Sequence, residues 1–150
     1  MQPTAQAGYE WKSAEKVAEF LDREETDPER KAEHESAHDH MLSLLPFDAN
    51  AAIQFLDVGA GAGAVSISLM RRFGYATGVL ADMSEAMMEA GTETLVPFDG
   101  RYRYVEYDMN SPEWPADLKG PFDLAVSARA IHHLTDDQKL VVFRHIHNSL

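Results

Sequence analysis

One stretch constrains the fold more than any other: FLDVGAGAGAVSISLMRRFG, residues 55–74. An apolar run ending in Asp57-Val58 enters Gly59-Ala60-Gly61-Ala62-Gly63, and Val65, Ile67, Leu69 and Met70 then supply the packed side of a helix. The pattern predicts strand, glycine loop, helix. Glycine permits positive φ and puts no side chain between the backbone and a ligand, so a nucleoside-bearing group can lie against such a loop. Asp82 follows a second apolar run, 21 residues after Gly61. At that offset a carboxylate accepts from ribose hydroxyls, or else caps a helix over Ser84 to Ala90.

The rest of the chain divides near Pro46. Before it, SAEKVAEFLDREE and DPERKAEHESAHDHMLSLL are charged and helix-forming, with Asp27-Pro28 placed as an N-cap followed by proline in the first turn. After it, AIQFLDV, ATGVLA, RYRYVEY and FDLAVS alternate with helical or turn-like stretches. Such alternation predicts an α/β fold, a parallel sheet whose ligand sits at the carboxyl ends of the strands. A helical cover over residues 1–50 and a nucleotide-binding domain over 51–150 are expected.

Composition narrows the partners. At 150 residues with 45% hydrophobic and 25% charged side chains, one soluble domain is expected, and no apolar run approaches a bilayer span. The start, MQPTAQAGYEWKSAEK, lacks a basic segment followed by an apolar one, so a cytoplasmic location is expected. The absence of cysteine removes disulfides and thiolate metal sites. A net charge of −12 opposes nucleic acid, whose phosphates need lysine and arginine, and favours small or cationic substrates.

HESAH, residues 34–38, has the H-E-x-x-H form of a zinc hydrolase helix. The wider pattern argues against zinc: Asp39 and His40 follow where such a buried helix is uncharged, and neither shares the His34–His38 face. No metal site is expected. His34, His38, Met41 and Leu45 form one helical stripe. They are read as a partly buried face.

Four motifs in order, FLDVGAGAG (55–63), ADMSEAMM (81–88), VEYDMN (105–110) and FDLAVSARAIHHL (122–134), resemble class I S-adenosylmethionine-dependent methyltransferases. The resemblance covers roughly residues 50–150. It implies a Rossmann-like fold with S-adenosyl-L-methionine as cofactor, and methyl transfer to an oxygen or nitrogen of a small molecule. Gly59, Gly61 and Gly63 would approach the methionine and ribose, Asp57 would hold the loop and the ammonium end, and Asp82 would take the ribose hydroxyls. Met83 would cover the adenine, although its spacing with Met87 equally suits a core position. Asp108 would accept from the adenine amino group, the Met109 backbone would meet the ring edge, and Ser127 would sit beside the methionine moiety. His132 and His133, after the fourth strand, are the candidate bases for removing an acceptor proton, or else they pack the turn. In similar methyltransferases helices before the first strand cover the site, which would place His34 or His38 in the substrate pocket.

The chain also departs from the family. Arg129 replaces a usual apolar residue, and either clamps a substrate carboxylate or turns outward to Asp136 or Asp137. The helix TDDQKLVVFRHIHNSL reaches Leu150 where members usually continue through L-K-P-G-G into three more strands. Of the family order 3-2-1-4-5-7-6, only 3-2-1-4 is expected, with a bare fourth-strand edge inviting self-association. Two alternatives stand beside methyl transfer. Gly59-x-Gly61-x-x-Ala64 also satisfies the dinucleotide fingerprint of an NAD(P)-dependent oxidoreductase, and the missing strands would suit a non-catalytic cofactor- or partner-binding fragment.

Overall fold

The computed structural model describes residues 9–150. Two helices come first, α1 (Ala14–Thr26) and α2 (Pro28–Ser43). Asp27 alone joins them: its backbone N–H donates to the Arg23 carbonyl, closing α1, while its carboxylate accepts from the Arg30 amide at 3.0 Å, opening α2. Pro28 fits the first turn of α2, where its missing N–H leaves nothing unsatisfied.

The alternating part follows as β1 (Gln54–Val58), α3 (Ala64–Arg72), β2 (Thr77–Asp82), α4 (Glu85–Thr94), β3 (Tyr102–Glu106), β4 (Leu124–Val126) and α5 (Asp136–Ser149). Among the described residues the strands form one parallel sheet in the order β3-β2-β1-β4. This is the expected arrangement. β4 is shorter than FDLAVS suggested, and α4 runs past Ala90 to Thr94. Thr135 and Gln138 cap the start of α5 reciprocally.

β1 lies between β2 and β4, and its buried side chains serve both faces. Phe55 packs with Leu69, Met70, Phe73, Leu80 and Leu95 on one side, where Leu42 of α2 joins them. Leu56 and Val58 pack on the other with Val79, Leu118, Leu134 and Val142. The period of two along the strand thus builds two half-cores from one segment. The chain turns to β2 on one side of β1 and to β4 on the other, so a crevice opens at the carboxyl end of β1, where open α/β sheets bind ligands.

Candidate active site

The loop after β1 is fixed by its own backbone. Gly59, Gly61 and Gly63 have φ values of 71°, 55° and 87°, and the Gly59 and Ala60 amides donate to the Ala81 carbonyl at the end of β2 at 2.8 and 3.0 Å. A Cβ at Gly59 would collide with the Cβ of Ala130. The loop therefore presses against the segment after β4 with no room for a side chain.

Two acids stand beneath and beside this loop. Asp57 is buried, and the Ser66 hydroxyl donates to it at 2.7 Å. Burial pushes its carboxyl up to about 7, with the Ser66 bond opposing and the Asp82 charge adding. Asp82 accepts the Gly61 amide on Oδ2 and the Ser84 amide on Oδ1, both at 2.8 Å. Its carboxyl is also raised, chiefly by burial, against the opposing backbone bonds from Ser84, Gly61 and Met83. An ionised carboxylate has about four lone-pair sites, so the three amides leave Asp82 room for about one further donor, such as a hydroxyl.

The carboxyl ends of the strands open into a cleft of about 920 Å³. Asp57, Gly59, Gly61 and Asp82 lie on its wall together with Met83 and Met109. His34, His38, Arg129, His132 and His133 line the same cleft, so both predicted halves of the site meet in one space. Gly63, Asp108 and Ser127 are not among the lining residues. Gly63 serves as the N-cap of α3. The Asp108 carboxylate accepts from the backbone and side-chain amides of Asn110, at 2.9 and 3.0 Å, shaping the turn that presents Met109 and Asn110. The Ser127 hydroxyl donates to the Val58 carbonyl at 2.6 Å, tying the ends of β1 and β4 together. Met83 is half-buried on the cleft, whereas Met87, one turn on, is buried while still reaching the wall.

The histidines take distinct partners. His34 Nδ1 meets Glu24 Oε2 of α1 at 2.9 Å, and Arg30 Nε donates to the other oxygen of Glu24 at 2.6 Å. Burial opposes ionisation of Glu24, but the bonds to Arg30 and His34 prevail and hold it below the usual carboxylate value. His38 is buried, and its Nε2 lies 3.4 Å from a terminal nitrogen of Arg129. Burial first, then the Arg129 charge, keep His38 below its ordinary 6.5. Arg129, with a left-handed φ of 54°, thus turns to α2 and not outward to Asp136 or Asp137. The His132 and His133 rings lie 4.1 Å apart, and burial, His133 and Lys139 hold His132 below 6.5. No group of three or more His, Cys, Asp or Glu side chains suited to a metal occurs among the described residues.

Several contributors had no local signal. Tyr104 of β3 donates its hydroxyl to the Gly61 carbonyl at 2.8 Å, passing α4 at Gly91, where a Cβ would collide with that hydroxyl. Trp11 and Phe20, edge-to-face at 5.1 Å, bring the N-terminal segment onto the cleft. The Tyr107 hydroxyl is buried without a hydrogen-bond partner among the described residues, and its residue also lines the cleft. An amphipathic stripe in α1, Val17, Phe20 and Leu21, was the available hint of a covering face.

The chain matches a family model described as a methyltransferase domain over residues 55–150. No curated protein matches it in sequence. Among solved structures, a candidate S-adenosyl-L-methionine-dependent methyltransferase from Methanococcus maripaludis is 18% identical with a TM-score of 0.75; the match covers 100% of this chain and 63% of that one. Phosphoethanolamine N-methyltransferase 2 of Haemonchus contortus, solved with S-adenosyl-L-methionine, is 22% identical with a TM-score of 0.63, covering 77% of this chain and 25% of that one. The chain therefore spans about 63% of the first of these proteins and a smaller part of the second.

Proposed function

Because the chain belongs to the methyltransferase-domain family, we propose that it transfers the methyl group of S-adenosyl-L-methionine to an oxygen or nitrogen atom of a small molecule. That cofactor, when bound, supplies an electrophilic methyl group on a sulfonium sulfur. Asp82 holds a ribose hydroxyl through the acceptor capacity that the Gly61, Ser84 and Met83 amides leave open. Asp57 faces the ammonium end, whose positive charge favours the ionised carboxylate. Met83 and Met109 give the adenine apolar cover. Asp108 shapes the turn through the Asn110 bonds to its Oδ1 and accepts from the adenine amino group with the same carboxylate. Ser127 sets the spacing of β1 and β4 from behind the wall.

On the acceptor side, His132 or His133 removes the proton of a hydroxyl or ammonium group, and the depressed His132 is a neutral base near pH 7. His34, His38 and Arg129 close this end from the cover and the β4 turn. The residues act mainly by alignment, which supplies most of what an in-line displacement needs. A covered cleft of about 920 Å³ suits a small acceptor beside the cofactor, and the charge of −12 disfavours nucleic acid.

The observation that carries this reading is Asp82, anchored to the glycine loop yet with acceptor capacity left, in the same cleft as the His132–His133 pair. Isothermal titration with S-adenosylhomocysteine, repeated with Asp82→Ala, tests it. Saturable binding lost in the variant supports the reading. Binding of NADH instead would move the assignment to an oxidoreductase.

A further inference from the structure

Arg129 occupies a backbone conformation that penalises side chains. Its φ of 54° is left-handed, a region that a non-glycine residue keeps when its surroundings hold it there. The result is a guanidinium on the cleft wall. In a chain with 25 aspartates and glutamates, Arg129 forms no ion pair with a carboxylate among the described residues. Its partner is His38 Nε2 at 3.4 Å, one long contact for a group with five N–H donors. Arginine has no lone pair to offer, so Nε2 accepts, and the proton of the neutral ring sits on Nδ1.

Three of the six acids on the cleft wall are otherwise engaged, the others being Glu25, Glu35 and Glu93. Glu24 is taken by Arg30 and His34, Asp57 by Ser66, and Asp82 by the loop. A planar fork with spare donors, exposed on the cleft wall beside a neutral ring, matches the paired oxygens of a carboxylate or phosphate.

We infer that Arg129 docks an oxyanionic group, carboxylate or phosphate, on the methyl acceptor, and that the anion takes up the donors which His38 leaves unused. The inference rests on the acceptor-side reading of the cleft given above. It makes the acceptor an anionic small molecule, selected by a local cation against the repulsive field of an acidic chain. Because His38 belongs to α2, the same contact places the anion under the cover.

The test uses acetate and inorganic phosphate as probes, with acetamide as the uncharged control. Each is titrated into the full chain, with and without S-adenosylhomocysteine, while the Arg129 Nε–H and His38 ring resonances are followed by NMR. Saturable shifts from acetate or phosphate, with none from acetamide, are expected. Arg129→Gly should abolish the shift at His38, and glycine is the informative substitution because a left-handed φ suits it, so the guanidinium leaves without disturbing the turn. Arg129→Lys keeps the charge without the fork and should weaken the anion by about tenfold. A response to acetate alone points to a carboxylate acceptor, and to phosphate alone a phosphorylated one. Silence toward both anions, or a His38 shift that survives Arg129→Gly, overturns the inference. Failure of S-adenosylhomocysteine to bind while the anions still titrate would instead count against the methyltransferase reading.

Discussion

Asp82 accepts the Gly61 amide at 2.8 Å, so the end of β2 and the glycine loop after β1 are one hydrogen-bonded unit. Asp82→Asn removes the negative charge and one acceptor oxygen. S-adenosylhomocysteine should then bind at least about tenfold more weakly, the loss expected when a charge-assisted hydrogen bond is removed. Calorimetry gives the affinity, and a melting curve shows whether the loop is also loosened. Unchanged affinity would remove Asp82 from the ribose site.

Asp57 makes stability depend on pH in the unusual direction for an acid. Its folded pKa, about 7, lies above the ordinary value of 3.8, so the folded chain binds the extra proton between these limits. This contribution is fully present below the lower value and is lost as pH rises through about 7. Asp57→Asn should flatten that slope in a series of melting temperatures. Binding an ammonium ligand near pH 6 should also release a proton, seen as a buffer-dependent enthalpy that the variant lacks.

Gly59→Ala combines a left-handed φ of 71° with a collision against Ala130. A destabilisation of about 1–3 kcal/mol is expected in chemical denaturation. Full stability would mean that the loop shifts without cost.

His132→Gln should lower turnover while leaving S-adenosylhomocysteine affinity unaltered. With its pKa below 6.5, His132 is neutral near pH 7, so activity should fall as the medium is acidified through that depressed value. The variant should lose this acid limb. If the limb persists, His133 or another group carries the proton.

Tyr104→Phe deletes the bond to the Gly61 carbonyl and nothing larger. A loss of about 1 kcal/mol in stability is expected. Because the Tyr104 hydroxyl fits the notch at Gly91, Gly91→Ala should be worse than the phenylalanine variant, and the two together should be less than additive.

What the sequence disclosed was local. The glycine loop and Asp82 are read from spacing because a strand, a tight turn and a helix follow one another in the chain, whereas the histidine pair and the sheet order came with the family resemblance. Partners far apart in sequence were hidden. Nothing in the neighbourhood of Arg129 announced His38, 91 positions earlier, and the two nearby aspartates were the natural alternative. Tyr104 reads as an ordinary strand residue until α4 leaves a gap for it. Asp108 and Ser127 show a different limit: a motif fixes where a polar side chain stands, and only the structure adds the nearby amide or carbonyl that it also bonds.

The shared capping residue Asp27, with Glu24 bridging to Arg30 and His34, binds α1 to α2 at their junction. The pair therefore behaves as a single leaf. Leu42 near the end of α2 and Ile53 beyond the link both sit in the core, so the leaf is seated on the sheet. Whatever loosens the junction therefore loosens both helices over the cleft at once.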